Sequence, residues 1–142
     1  MNIFEALEDH HDEMLELIKS VKNESDRFGE LKLHLTVHHE LEEDILYREM
    51  LKKGDEAWDE AAEMMEEHHV LEFMLRDLEN FPRDHKRWPV KLHVLEEYLE
   101  HHFEEEEDDV FEEGSEVVPK SDADEMAVRF NALKNKRLEC GG

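Results

Sequence analysis

The sequence predicts an all-α fold, an up-down-up-down antiparallel four-helix bundle with a short fifth C-terminal helix, and three observations carry that prediction. Apolar residues recur at steps of three and four through five successive segments. Only five Gly and three Pro occur in 142 residues, a poverty that favours long helices over sandwiches or barrels. The breaks between segments are short and rich in turn formers.

The first stripe runs Phe4, Leu7, His11, Met14, Ile18 and Val21, up to the turn-rich stretch 23–29. A second runs Leu31, Leu35, His38, Glu42, Ile45 and Glu49, and Lys52-Lys53-Gly54 makes a helix stop after it. Asp55 is expected to cap a third helix with the stripe Trp58, Ala61, Met65, His68, Glu72, Leu75 and Leu78, ending before Phe81-Pro82. A basic loop (Arg83, His85, Lys86, Arg87) leads to Pro89, which suits the first turn of a fourth helix. Its stripe reads Leu95, Tyr98 or Leu99, His102, Glu106 and Val110, and Gly114 is expected to close it. Beyond Pro119, Ser121 or Asp122 can cap a fifth helix to about Leu138, amphipathic through Met126, Phe130 and Leu133 and packed outside the bundle. The expected organisation is therefore a bundle over 1–114, with a linker and amphipathic helix over 115–142.

Composition narrows the partners. A formal net charge of -24 repels phosphate backbones and anionic lipid, which argues against nucleic acid and membrane surfaces and leaves a cation as the natural small partner. No run of 18 apolar residues offers a membrane span. The single cysteine, Cys140, cannot form an internal disulfide and is read as inert. With no basic region and apolar run at the start to resemble a signal peptide, a reducing, cytoplasmic location is expected.

Eleven histidines are the most unusual feature of the composition, and they are ordered. The segment 38–47 lies over 102–111 without gaps, each with His-x-x-x-Glu and an aromatic nine residues after the His. His11 and His68 are followed by matching apolar positions in the first and third helices. Residues at i and i+4 share a helix face, about 6 Å apart along the axis, so His38 with Glu42 and His102 with Glu106 can reach one metal pair from opposite walls. Imidazole with carboxylate suits iron, manganese or zinc. Glu42 and Glu106, with two oxygens each, could bridge metals roughly 3.5–4 Å apart. Burying several polar groups at one level of an apolar core costs a few kcal/mol apiece unless something pairs them, as a metal would. Of the six acids from Glu104 to Asp109, Glu106 alone continues the stripe; Glu104, Glu105, Glu107 and Asp108 are read as a solvated face.

On these residues the chain resembles the hemerythrin-like HHE cation-binding family. The resemblance spans Ala6 to about Gly114 and is carried by 9–18, by His38-x-x-x-Glu42 with Tyr47, by 67–70, and by 101–106 with Phe111. It implies a pair of iron ions, with zinc or manganese as alternatives. His11, His38, His68 and His102 would be terminal ligands, and Glu42 and Glu106 the bridging carboxylates. True hemerythrins place a second His one turn after the third-helix ligand, where this chain has Glu72; they carry an aspartate five residues after the fourth-helix His, where this chain has Glu106 at four. The broader HHE branch is the better match, so an oxygen-carrier role does not transfer. Glu72 and His39 stand as additional candidate ligands.

In the adjacent pairs the histidine in phase with the stripe is taken as ligand, leaving His10, His39, His69 and His101 to the surface or the second shell. His34, His85 and His93 are read as surface or packing residues. Tyr47, Phe111, Trp58, Phe73, Tyr98 and Phe103 are read as core aromatics. The function expected is binding of a diatomic ligand, O2 or NO, at a di-iron pair for sensing, scavenging or delivery, with no catalytic residue assigned. Two alternatives compete. Glu8-x-x-His11 and Glu66-x-x-His69 supply the ExxH motifs of a ferritin-like oxidase, but no long crossover is present and His38 and His102 would go unexplained. An acidic bundle that stores or buffers metal fits the charge but not the ordered repeat.

Overall fold

The computed structural model describes residues 1–141, and among them five helices and no strand are found. α1 is Ile3–Asn23, opened by a capping box in which the Asn2 side chain accepts from the Glu5 amide and the Glu5 carboxylate accepts from the Asn2 amide. α2 starts as Phe28–Glu42, loosens into a π turn over Glu43–Tyr47 and finishes with Arg48–Met50. Gly54, at φ 123°, makes the turn into α3, Asp55–Asn80. α4 begins as Trp88–Glu105 with Pro89 in its first turn, passes through a second π turn at Glu106–Val110 and ends as Phe111–Val117. α5 is Lys120–Gly141.

The buried residues fall into two apolar clusters that reveal the direction of each helix. One joins Ile3 and Leu7 of α1 to Leu41 and Ile45 of α2, Ala57 and Ala61 of α3, and Val110 and Phe111 of α4. The other joins Ile18 of α1 to Leu31 of α2, Leu75 of α3 and Leu92 of α4. The start of α1 therefore lies beside the end of α2, the start of α3 and the end of α4, which is the alternating bundle. α5 lies along α1 and α2 and adds Met126 and Phe130 to the first cluster. Between the clusters sits a layer of histidine and glutamate.

Several sequence expectations change in detail. Asp55 does not cap α3; Gly54 holds the cap position and Asp55 is the first acidic residue inside. Ser121 and Asp122 likewise lie within α5, which has begun at Lys120 and runs for 22 residues. Gly114 does not close α4. It lies buried within it because a Cβ there would come 2.9 Å from a ring carbon of Phe4 and 3.3 Å from the Met50 sulfur, so the boundary expected at 114 falls inside a helix. The α3 stripe shifts by one residue at alternate turns: Ala57, Met64 and Leu71 point inward where Trp58, Met65 and Glu72 were expected. Trp58 is consequently 52% exposed, and Phe73, beyond the same stripe, is 70% exposed. Neither is a core aromatic.

Candidate metal centre

Each bundle helix delivers its histidine to the layer between the two apolar clusters. His11 on α1, His38 on α2, His68 on α3 and His102 on α4 are fully buried, as are Glu42 and Glu106. His39, the neighbour of His38, is buried with them and stacks on His68, ring centroids 3.9 Å apart. Both π turns adjoin the glutamates: one starts at the residue after Glu42, the other at Glu106 itself. Such turns widen a helix locally and recur at functional sites. Here they accompany the return of Tyr47 and Phe111 to the buried side.

Donor atoms converge in two groups that share both glutamates. His11, His38, Glu42 and Glu106 each place a ligand-type atom within 4.8 Å of the others, and so do Glu42, His68, His102 and Glu106. His39 joins His68 and His102 in a third grouping on the latter side. Glu42 spans the two halves with its two oxygens: Oε1 is 3.0 Å from His68 Nε2, and Oε2 is 3.6 Å from His38 Nε2. Glu106 spans them with one, since Oε1 lies 3.2 Å from His11 Nε2 and 3.3 Å from His102 Nε2. Its Oε2 accepts a hydrogen bond from the Tyr47 hydroxyl.

These approaches are close, yet the ring nitrogens make no well-formed hydrogen bond along them. Nε2 of His11, His38, His68 and His102, both nitrogens of His39, both oxygens of Glu42 and Oε1 of Glu106 are buried without a hydrogen bond. A buried polar atom left unmatched costs about 1–3 kcal/mol. Several such atoms at one level would take up much of the stability of a domain, about 5–15 kcal/mol. The donor set fits metal ions of the imidazole–carboxylate class, which would engage one nitrogen of each ring together with the carboxylate oxygens.

The opposite ring nitrogens are held from outside. His11 Nδ1 donates to Glu107, His68 Nδ1 to Glu43 and His102 Nδ1 to Glu67, each at 2.7 Å. A carboxylate on Nδ1 fixes the tautomer that turns the Nε2 lone pair inward and strengthens it as a donor. His38 differs: its Nδ1 meets His10 Nδ1 at 2.8 Å, and His10 Nε2 meets His34 Nδ1 at 3.0 Å. Phe103 lies flat on the His11 ring, 3.9 Å between centroids, and locks its plane.

Electrostatics sorts the layer into charged and neutral groups. Burial alone would push His11 down, but its contacts with Glu106 and Glu107 and the charges of Glu106 and Glu42 hold it up at about 9. Burial is likewise outweighed at His102, where the charge and contact of Glu106 and then Glu67 raise it to about 9. His38 and His39 are pushed well below the usual histidine range by burial and by neighbouring imidazoles. Burial, and then the charge of Glu106, raises Glu42; Glu106 is lowered despite its burial because His102 and His11 flank it. Without metal, two protons thus stand in for cations around Glu106.

The sequence matches the hemerythrin HHE cation binding domain family over residues 2–113. The chain belongs to that family. Among solved structures it resembles a hemerythrin HHE cation binding domain-containing protein from Mycobacterium kansasii, with 22% identity, a TM-score of 0.86, and coverage of 99% of this chain and 89% of that one. That likeness extends the common fold past the HHE match and through α5. No curated protein matches the sequence. Membership of the HHE family makes this a cation-binding domain.

The HHE residues singled out from the sequence, His11, His38, Glu42, His68, His102 and Glu106, all meet in the layer, with His39 beside them. Glu72 does not: Leu71 takes the inward place on that turn and Glu72 is exposed. His69 and His101 are on the surface, whereas His10 is buried behind His38 and half-buried His34 is tied to it. Glu66 and His69, one of the two ExxH motifs, pair with each other on the exposed face of α3. Glu107 is not merely solvated face, and it, Glu43 and Glu67 were missed. Their partners lie 96, 25 and 35 residues away, so no local pattern announces them. A signal existed for two of the three: the repeat is His-x-x-x-Glu-Glu, and Glu43 and Glu107 are its last residues.

Proposed function

We propose that the chain is a non-haem di-iron protein that binds O2 or NO for sensing, scavenging or delivery. The observation that carries this reading is the set of unmatched buried donor atoms divided into two groups that share Glu42 and Glu106. His11 and His38 would hold one iron, His68, His102 and His39 the other, with the two glutamates between them. Bound iron would supply the reversible redox and ligand-exchange chemistry that these side chains lack.

The count of ligands is uneven. Two imidazoles serve the His11 side and three serve the other, so the His11 side is the position with room for an exogenous ligand. The side chains around it, Phe103 and Phe111 against His11, make an apolar surrounding that favours a small uncharged molecule over a bulky or charged one. The site stands between two apolar clusters, and the chain's acidic exterior suits cation supply. The four bundle helices, up to the end of α4 at Val117, form the unit that carries this chemistry, with α5 appended; a cytoplasmic setting is consistent with a single exposed cysteine kept reduced. No helix among the described residues is long and apolar enough to cross a membrane.

The test is metal content per chain after anaerobic iron loading, followed by the optical spectrum on admitting air or NO. About two irons, with new near-ultraviolet and visible charge-transfer bands that fade when the gas is removed, is the expected result. Iron absent, or present without spectral response, would replace this reading with a zinc-type or structural acidic bundle. Bands that persist after oxygen removal would favour oxidation over reversible binding.

A further inference from the structure

Three of the four terminal histidines have a carboxylate on Nδ1, and His38 has an imidazole. His10 is fully buried, and among the described residues its hydrogen bonds run to His38 and His34, with Glu13 beside that pair. This fixes an order of protons along the row. If His38 presents Nε2 to a metal, its proton is on Nδ1, and the atom that must accept it is His10 Nδ1, 2.8 Å away. His10 then carries its own proton on Nε2, which it donates to His34 Nδ1 at 3.0 Å. His34 in turn keeps its proton on Nε2, on the half-buried side of the ring. Phe130 of α5 stands edge-on to both His10 and His38, with centroids 6.0 and 5.8 Å away, and holds the row in place.

A neutral imidazole pulls on the Nδ1 proton less than a carboxylate does, so His38 is left the weakest donor of the four. It also serves the side with fewer imidazoles. We propose that His10 is the positioning residue for His38, and that this neutral acceptor makes the His11–His38 position the weaker and last-filled of the two metal positions. The inference rests on the two-metal reading above. It assigns this chain a built-in loading order, with one ion held firmly by His39, His68 and His102 and a second exchanged more readily beside His11.

The decisive experiment is an anaerobic cobalt(II) titration of the metal-free full-length chain, followed by its visible bands. Two separated steps are expected for the unaltered protein. His10→Met keeps the volume but removes the acceptor, and should weaken the second step by about 10–100-fold while leaving the first unchanged. His10→Gln, whose amide oxygen can accept from His38, should restore most of the loss, which a purely structural role for His10 would not predict. Equal shifts of both steps, no shift in either, or a failure of the glutamine to rescue would overturn the inference while leaving two-metal binding intact. Fewer than two cobalt ions in the unaltered protein would overturn the two-metal reading and this inference with it. A measurement free of substitutions guards against a variant that fails to fold: nitrogen-15 histidine spectra of the zinc-loaded protein should show His10 unprotonated at Nδ1 and protonated at Nε2. The reverse tautomer, or a third zinc ion lost on His34→Ala and so lodged between His10 and His34, would overturn it.

Discussion

The hydroxyl of Tyr47 donates to Oε2 of Glu106, so only Oε1 of that carboxylate faces His11 and His102. Tyr47 therefore decides how Glu106 can be used. Glu42 has no such restraint and turns one oxygen to each half of the layer. Tyr47→Phe should destabilise the metal-free protein by about 1–3 kcal/mol, the cost of a buried acceptor left unmatched. In the iron-loaded protein the freed oxygen can turn to the metal pair, so the loss should shrink and the charge-transfer spectrum should move. Equal drops in melting temperature with and without iron would show that Tyr47 does not set the mode of Glu106.

Because Glu42 spans both halves, its removal should be felt by both ions. Glu42→Ala is expected to lower bound iron towards zero, and His38→Ala to remove mainly one equivalent; His102→Ala should lose metal as well. All three should reduce the gain in melting temperature on loading, since bound metal stabilises the folded state alone. Metal analysis beside paired thermal scans decides this, and unchanged iron in both Glu42→Ala and His102→Ala would sink the assignment.

Acid should empty the site. His11 and His102 are held up at about 9, so at neutral pH a metal ion must displace a proton from each. Apparent affinity should rise with pH to about 9 and then level, by up to tenfold per unit for each proton released. The same groups act oppositely on the metal-free fold. Their pKa lies above the unfolded value of about 6.5, so their stabilisation is complete below that pH and is lost as pH rises through about 9. Chemical denaturation from pH 6.5 to 9 should show this decline without metal and a weaker one with it; parallel curves would count against protons and metal sharing these ligands.

The carboxylates behind the ligands should matter more than their exposure suggests. Glu67→Gln and Glu107→Gln are each expected to reduce metal affinity by about 10–100-fold, because the amide no longer carries the charge that strengthens the imidazole. Glu72→Ala and His69→Ala, on the exposed face of α3, serve as controls and should change stability by less than about 0.5 kcal/mol. A competition titration against a metal chelator measures both sets. Glutamine variants that bind as tightly as the unaltered chain would reduce Glu67 and Glu107 to surface charge.

The bundle and the six inward ligand candidates were legible because both rest on periodicity. On α1 and α2 the stripe kept phase from Phe4 to Val21 and from Leu31 to Ile45. On α3 it slipped, since a buried face wider than one residue per turn lets Leu71 or Glu72 fit the same count, and only packing chooses Leu71. What periodicity cannot see is a pair made across helices. Glu67 to His102 and Glu43 to His68 depend on how neighbouring helices are rotated, and the π turns that follow the glutamates alter that rotation without a Pro or Gly to mark them. Gly114 misled for a related reason: a glycine near a helix end reads as a stop, while here it makes room for Phe4.

The polar layer has a mechanical consequence. It parts the apolar interior into two lobes, each continuous across all four bundle helices, that meet only at a band of imidazole and carboxylate. With ions in place the band is a rivet through four rods. Drained of them it becomes a waist, where buried imidazole and carboxylate atoms are left without full partners and water has reason to enter. Amide exchange should therefore quicken first at mid-helix, around His11, Glu42, His68 and His102, while both ends stay protected. That inverts the usual fraying of a helical bundle from its tips, and lets the stiffness of the bundle itself register whether its ions are present.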